Sequence, residues 1–261
     1  MDLLFAKYQG TGNDFIMVDN RLGEWDNLSI SEISKLCDRR FGIGADGLIK
    51  INAIPGYDFE VDYYNSDGSK SFCGNGARCS VSFAHELGIT SDSVSFMAID
   101  GAHEAVKKDG LVHLKMNDVS QIDTSAEEFV LNTGSPHFIH FTKNVADFDI
   151  VSYGKQIRYS DKYKQEGINV NAIHQLDEHA FEIKTYERGV EDETLSCGTG
   201  ITAAALALGE KNQIEGAYEY QVKAQGGNLS VKFNRTVSGF TEIWLIGPAT
   251  FVFKGEVNVC I

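Results

Sequence analysis

The sequence predicts an α+β protein made of two pseudo-symmetric domains that arose by internal duplication, and three observations lead there. Phe72-Cys73-Gly74-Asn75-Gly76 and Ser196-Cys197-Gly198-Thr199-Gly200 each run straight into an apolar, helix-competent segment. Thr11-Gly12-Asn13-Asp14-Phe15-Ile16 returns 122 residues later as Thr133-Gly134-Ser135-Pro136-His137-Phe138. Phe59 to Asn65 returns at the same spacing as Phe181 to Glu187, and the cysteines follow at 124. Val94 to Met116 and Tyr220 to Ile246 then share a strand, Gly turn, strand, turn, strand pattern. Several matches in one order at nearly one spacing mark a duplication.

Each half reads as strands, a helix opened by Cys-Gly-x-Gly, then more strands. Alternation or runs of β-branched and aromatic residues predict strands at Phe15 to Asp19, Gly47 to Ile51, Phe59 to Tyr64, Val94 to Ile99, Val112 to Met116, Phe181 to Tyr186 and Ile243 to Leu245. A helix is expected over Ile30 to Arg40, with a capping box from Ser29 to Glu32, apolar Ile30, Ile33, Leu36 and Cys37, and Gly42 just past its end. Segments 75–87 and 199–209 are the helices after the cysteines. Ala203 to Leu208 is apolar all round, which suits a helix enclosed by a curved sheet. The halves divide near Asn117 to Thr124, as 1–117, completed by a C-terminal strand within 249–261, and 118–248. A ligand cleft is expected between the two halves.

Composition narrows the function. The 261 residues carry 37 Asp and Glu against 23 Lys and Arg, a net charge of −14 with no basic cluster, so neither nucleic acid nor an anionic membrane is expected as a partner. Met1 to Lys7 lacks a basic start followed by an apolar core, and the apolar run near Ile201 to Leu208 is too short to span a bilayer. A cytoplasmic location and a small-molecule partner are the expectation. Five cysteines without a repeating disulfide spacing imply reduced thiols.

Several motifs carry no chemistry. Gly42-Ile43-Gly44-Ala45-Asp46-Gly47 spells G-x-G-x-x-G, but it follows a helix and precedes a strand, the reverse of a dinucleotide turn. Asn65-Ser66-Asp67-Gly68 hints at a calcium loop, yet Tyr63 and Gly74 stand at its first and twelfth positions. His137 and His140 lie three apart in an expected strand, hence on opposite faces, and no metal site is expected. Cys37 and Cys79 read as buried small hydrophobes, and Cys260 as a terminal thiol.

A cysteine just before a helix N-terminus sits in the positive end of the helix dipole, which favours the thiolate. With Cys73 and Cys197 facing one amino acid, a thiolate can remove the Cα proton from one side while a thiol delivers a proton to the other. No cofactor is then needed, provided preorganised donors hold the carboxylate as it takes on enolate character. The N–H groups at Gly74, Asn75, Gly198 and Thr199 are placed to be those donors.

Gly10-Thr11-Gly12-Asn13-Asp14-Phe15, Asn65-Ser66-Asp67-Gly68, Cys73-Gly74-Asn75-Gly76-Ala77-Arg78, Tyr186-Glu187-Arg188-Gly189 and Ser196-Cys197-Gly198-Thr199-Gly200 together resemble the diaminopimelate epimerase family nearly end to end. The resemblance implies cofactor-free interconversion of LL- and meso-2,6-diaminopimelate, in lysine and peptidoglycan precursor synthesis. It implies two domains, each a mostly antiparallel, barrel-like β-sheet around a central helix, and a homodimer. By motif, Cys73 and Cys197 are the acid/base pair, and Asn13, Asn65, Asn171, Glu187 and Arg188 hold substrate, with Arg188 on the distal carboxylate. His137 and Glu187 resemble groups that assist the thiols. Two departures bear on substrate contacts: many members carry Gln at Gly47 and Asn at Ser135.

Proline and hydroxyproline racemases also pair two cysteines, but Asn75 to Arg78 and Tyr186 to Gly189 favour the diaminopimelate type. Phenazine-type isomerases share the duplicated fold and lack the thiol pair. A non-catalytic amino-acid binder or a thiol redox protein would show no exchange of the Cα hydrogen.

Overall fold

The computed structural model describes residues 1–89, 92–125 and 128–259, so Cys260 lies outside the described residues. The chain forms two compact units, Met1–Leu114 with Gly247–Ile261, and Lys115–Ile246.

The first unit contains β1 (Asp2–Gly10), β2 (Asn13–Asp19), α1 (Ile30–Cys37), β3 (Gly47–Asn52), β4 (Phe59–Asn65), α2 (Gly74–Glu86), β5 (Ser93–Ala98), β6 (Gly101–Lys108) and β7 (Leu111–Lys115). Its neighbours pair antiparallel except at two joins, where β2 runs parallel to β3 and β4 parallel to β5. Parallel strands need a crossover, and α1 and α2 supply the two.

The second unit repeats this plan with β8 (Asp123–Ser125), β9 (Glu128–Asn132), β10 (Pro136–Phe141), α3 (Ile150–Arg158), β11 (Asn169–Gln175), β12 (Ala180–Glu187), β13 (Asp192–Thr194), α4 (Gly198–Lys211), β14 (Gly216–Ala224), β15 (Gly227–Thr236) and β16 (Gly239–Gly247). Its parallel joins are β10 with β11 across α3, and β12 with β14 across α4. The β1–β2 and β9–β10 hairpins turn at equivalent places, with Gly12 at φ 96° and Gly134 at φ 110°, a conformation that favours glycine. The last strand, β17 (Thr250–Asn258), returns to pair antiparallel with β1, Asp2 lying opposite Asn258.

Each unit wraps its sheet about one helix. Every residue of α2 from Asn75 to Ala84 is buried, and the helix packs against β1, β2, β3, β4 and β6. In α4 every residue from Gly200 to Gly209 is buried, against β9, β10, β11 and β15. The all-round apolar pattern of Ala203 to Leu208 thus has its expected physical cause. Burying side chains such as Ile201, Leu206 and Leu208 contributes roughly 1.5–3 kcal/mol each, which holds the cysteine-bearing helix starts in place.

Three helix readings are corrected or extended. The capping box of α1 forms, with Ser29 N–H donating to Glu32 at 2.8 Å. The helix ends at Cys37 rather than Arg40, because the Asp38 carboxylate accepts the N–H groups of Arg40 and Phe41 at 2.7 Å and turns the chain away. Ile30, at 63% exposure, is not part of its buried stripe. The G-x-G-x-x-G run closes this helix end: Ile43 and Gly44 donate to Leu36, and a Cβ at Gly42 would lie 2.0 Å from the Lys35 carbonyl. α3 escaped the sequence reading because Gly154 interrupts its pattern. There a Cβ would come within 2.4 Å of the Tyr186 ring on β12, so close packing demands the glycine.

Candidate active site

Cys197 is the N-cap residue of α4, and a hydrogen-bonded chain leads to it from inside the second unit. Thr185 Oγ1 donates to Asn171 Oδ1 at 2.9 Å. The Asn171 amide then donates to the Phe138 carbonyl and to His137 Nδ1 at 3.1 Å. Since Nδ1 accepts, Nε2 of neutral His137 carries the proton and donates to Thr199 Oγ1 at 2.9 Å. That hydroxyl stands 3.5 Å from Cys197 Sγ, able to accept from a thiol or donate to a thiolate. His137 has no solvent exposure, and burial, with the Arg188 charge adding to it, pulls its pKa down to about 3. Gly200 makes room for this chain, because a Cβ there would lie 2.5 Å from Asn171 Oδ1 and 3.2 Å from the His137 ring.

Cys73 is the N-cap of α2, and here the sulfur itself caps, accepting the Gly76 N–H at 3.5 Å. Around it, Asn75 donates to Asn13 Oδ1, and Asn13 donates to Asp46 at 3.0 Å. Asp46 and Asp14 are both gripped by Arg39. Burial by itself would raise the Asp14 carboxyl, but bonds from Arg39 and Lys7 outweigh it and bring the pKa to about 2. The β1–β2 turn that carries Asn13 is therefore anchored by ions. Asn65 spends its amide within its own turn, donating to Ser69 and Ser71, while Tyr63 donates to its Oδ1 at 2.9 Å. Gly47 leaves no space for a longer residue: a Cβ there would meet the Tyr63 ring at 2.4 Å.

A second cluster in the second unit gathers around Arg188 at the end of β12. Its guanidinium is exposed and, among the described residues, binds neutral oxygens, the Glu166 carbonyl at 2.9 Å and Ser135 Oγ at 3.4 Å. Glu191 does not pair with it, accepting instead from Tyr186 and Tyr159 and facing Arg158. Asn169, overlooked in the sequence, ties the cluster together by donating to Ser135 Oγ at 2.9 Å and accepting the Arg188 N–H at 2.8 Å. Its register position opposite His137, across the parallel β10–β11 join, was the signal that could have found it. Asn171, two residues on, lies wholly buried with its amide given to His137 and Phe138, so it supports the histidine and has no N–H left for a ligand. Burial raises the pKa of Glu187.

His137 and His140 do face opposite sides of β10, His140 packing on Phe148 and Tyr153. Among the described residues no group of three or more His, Cys, Asp or Glu side chains is arranged to hold a metal ion, and no helix is long and apolar enough to cross a membrane.

The family model described as diaminopimelate epimerase matches residues 5–122 and 129–252, taking in both cysteine helices and the Arg188 cluster. The chain belongs to the diaminopimelate epimerase family. It is accordingly an isomerase. The diaminopimelate epimerase of Flavobacterium psychrophilum is 50% identical over 253 residues, covering 96% of this chain and 98% of that protein. That of Chlorobaculum tepidum is 39% identical over 259 residues, covering 96% and 99%. Among solved structures, the Bacillus anthracis phenazine biosynthesis protein of the PhzF family superposes with a TM-score of 0.78 at 15% identity, over 99% of this chain and 100% of that one. A hydroxyproline epimerase from Agrobacterium vitis gives 0.67 at 12% identity, over 98% and 92%. At such identities the likeness is one of fold, shared by the epimerase family and the rival classes alike.

Proposed function

We propose that this chain interconverts LL- and meso-2,6-diaminopimelate by a two-base mechanism in which Cys73 and Cys197 act on one α-carbon from opposite faces. The observation that carries this reading is the repetition itself. Two cysteines cap two buried helices at equivalent places in a duplicated chain of this family. In each direction the thiolate of one cysteine takes the α-proton and the thiol of the other delivers one, so the pair ends with its protonation exchanged. The main-chain N–H groups of Gly74, Asn75, Gly198 and Thr199 receive the substrate carboxylate as it becomes enolate-like, so that helix starts supply the charge stabilisation. The scheme calls on no cofactor.

Arg188 takes the distal carboxylate by a bidentate pair, with Ser135 and Asn169 beside it. Glu187 and Asn13 contact the polar groups of the ligand, Asn65 shapes the turn ahead of Cys73, and His137 with Asn171 holds Thr199 toward Cys197. Incubation with LL-diaminopimelate in heavy water under reducing conditions tests the scheme. Deuterium must enter at Cα as meso product appears, and Cys73→Ala and Cys197→Ala must each abolish net inversion. Full turnover in either variant rules out the scheme.

The working form is a cytoplasmic homodimer. Phe251 and Phe253, on one face of β17, are each 44% exposed, an apolar pair suited to a second copy. Sedimentation should give twice the chain mass, and Phe251→Glu with Phe253→Glu should give monomer; a monomeric parent refutes this.

A further inference from the structure

Arg78 is a buried cation that the proposed chemistry does not use. It lies on α2 five residues after Cys73 and has no solvent exposure. Its Nη2 donates to Asn75 Oδ1 at 2.8 Å and Thr11 Oγ1 at 3.0 Å, its Nε to the Pro248 carbonyl at 3.4 Å, and its Nη1 has no hydrogen-bond partner. Every one of these partners is neutral. A buried guanidinium without an anion is costly to a fold, and a counter-charge nearby relieves that cost.

Among the described residues the acidic side chains of the strands packed on α2 bond elsewhere or, as with Glu104, are exposed. Lys7 pairs with Asp14, Lys50 with Asp62 and His103 with Asp100, while Tyr8 donates to Glu86 and Tyr63 to Asn65. Two thiols belong to the same helix: Cys79 is the next residue, and Cys73 is the N-cap at the helix start toward which the guanidinium reaches back to bond Asn75. Cys79 is wholly buried, and its pKa is pushed up to about 12, which keeps it neutral. Cys73 is half-buried, its sulfur already accepting the Gly76 N–H.

Building on the two-base reading, we propose that Arg78 is a positioning residue whose buried charge holds Cys73 as the thiolate of the ligand-free enzyme and leaves Cys197 as the thiol. The duplication makes the contrast visible. The residue five places after Cys197 is Thr202, whose hydroxyl bonds back to the Gly198 carbonyl of its own helix at 3.0 Å. No charged side chain occurs in α4 before Glu210. Cys197 faces the Thr199 hydroxyl, which can accept its S–H, and behind that a neutral His137. The same guanidinium fixes Asn75, and through it Asn13, so one side chain sets both the charge and the shape of the first half-site.

The test is the rate of iodoacetamide alkylation at each cysteine from pH 5 to 10, resolved by peptide mass spectrometry on the reduced, full-length protein. In the unaltered enzyme Cys73 should titrate well below Cys197. Arg78→Gln should raise the Cys73 midpoint by about one to three pH units and move the acid limb of kcat/KM with it, while Arg78→Lys, which keeps the charge, should stay near the parent. Cys197 should not respond to either change. A Cys73 midpoint at or above that of Cys197 in the unaltered protein overturns the proposal even if no variant folds. So does a folded Arg78→Gln enzyme with the parent midpoint, since a purely structural arginine would change the melting temperature alone. Failure of the two-base reading looks different: a Cys73→Ala enzyme that still epimerises removes that scheme while the alkylation midpoints stand.

Discussion

The hydroxyl of Thr199 lies 2.9 Å from Nε2 of His137, and because Asn171 donates to the other ring nitrogen, that contact is an N–H donating to an oxygen. Thr199 can therefore accept the S–H of a Cys197 thiol or, once turnover makes the thiolate, donate its own hydrogen to that sulfur, 3.5 Å away. Thr199→Val removes this link and strands a buried N–H on His137. The expected result is a fall in kcat of about 10- to 100-fold with a smaller change in KM, matching about 1.5–3 kcal/mol for a hydrogen bond to a charged group. Steady-state kinetics beside a thermal melt would check it, and an unchanged kcat would deny the hydroxyl any part in handling the proton.

His137 makes folding stability depend on acid. Its folded pKa of about 3 lies below the ordinary value of 6.5, so the unfolded chain binds the extra proton between these limits. Stability from this residue is intact above pH 6.5 and is lost as pH falls toward 3, at up to about 1.4 kcal/mol per pH unit. Urea midpoints from pH 7 to 4 should decline less steeply in His137→Gln than in the parent. Parallel slopes would mean that the histidine is not held neutral.

Gly200→Ala tests the packing of the same chain. Its methyl group would be placed 2.5 Å from Asn171 Oδ1 and 3.2 Å from the His137 ring, in the first turn of α4, where alanine is otherwise the better helix former. The crowding should outweigh propensity, lowering stability by about 1–3 kcal/mol and kcat with it. A variant more stable than the parent would show that the asparagine and histidine have room to move.

Arg188→Ala should raise KM for diaminopimelate about 100-fold or more, the worth of a bidentate pair of charge-assisted bonds, while α-carbon exchange at saturation changes less. An amino acid that lacks the distal carboxylate should be used equally poorly by parent and variant. If the variant still discriminates between the two compounds, the distal carboxylate is held elsewhere.

The legible parts of this protein were those that local chemistry repeats. The Cys-Gly-x-Gly helix starts, the repeated Thr-Gly segments at Thr11 and Thr133 and the period-two strands announce themselves because glycines, caps and alternation act over a few residues. α3 stayed hidden because Gly154 answers to Tyr186, a residue 32 positions away in sequence. Asn169 and Asn171 look interchangeable in Ile168-Asn169-Val170-Asn171, and pairing register alone separates them. Alternate strand residues share a face, yet one asparagine meets Ser135 and Arg188 while the other meets His137 and Thr185.

The sequence by itself determined the duplication, the two helices that start at a cysteine and the family, since each is written in short motifs whose spacing survives without knowledge of contacts. Tertiary structure decided how the halves differ. A buried arginine left with neutral partners on one helix, and a neutral histidine relayed through a threonine on the other, depend on which polar atoms are shut away from water and what they meet there. Desolvation belongs to the packed fold rather than to any stretch of chain, so nothing in the two nearly identical motifs could have announced that asymmetry.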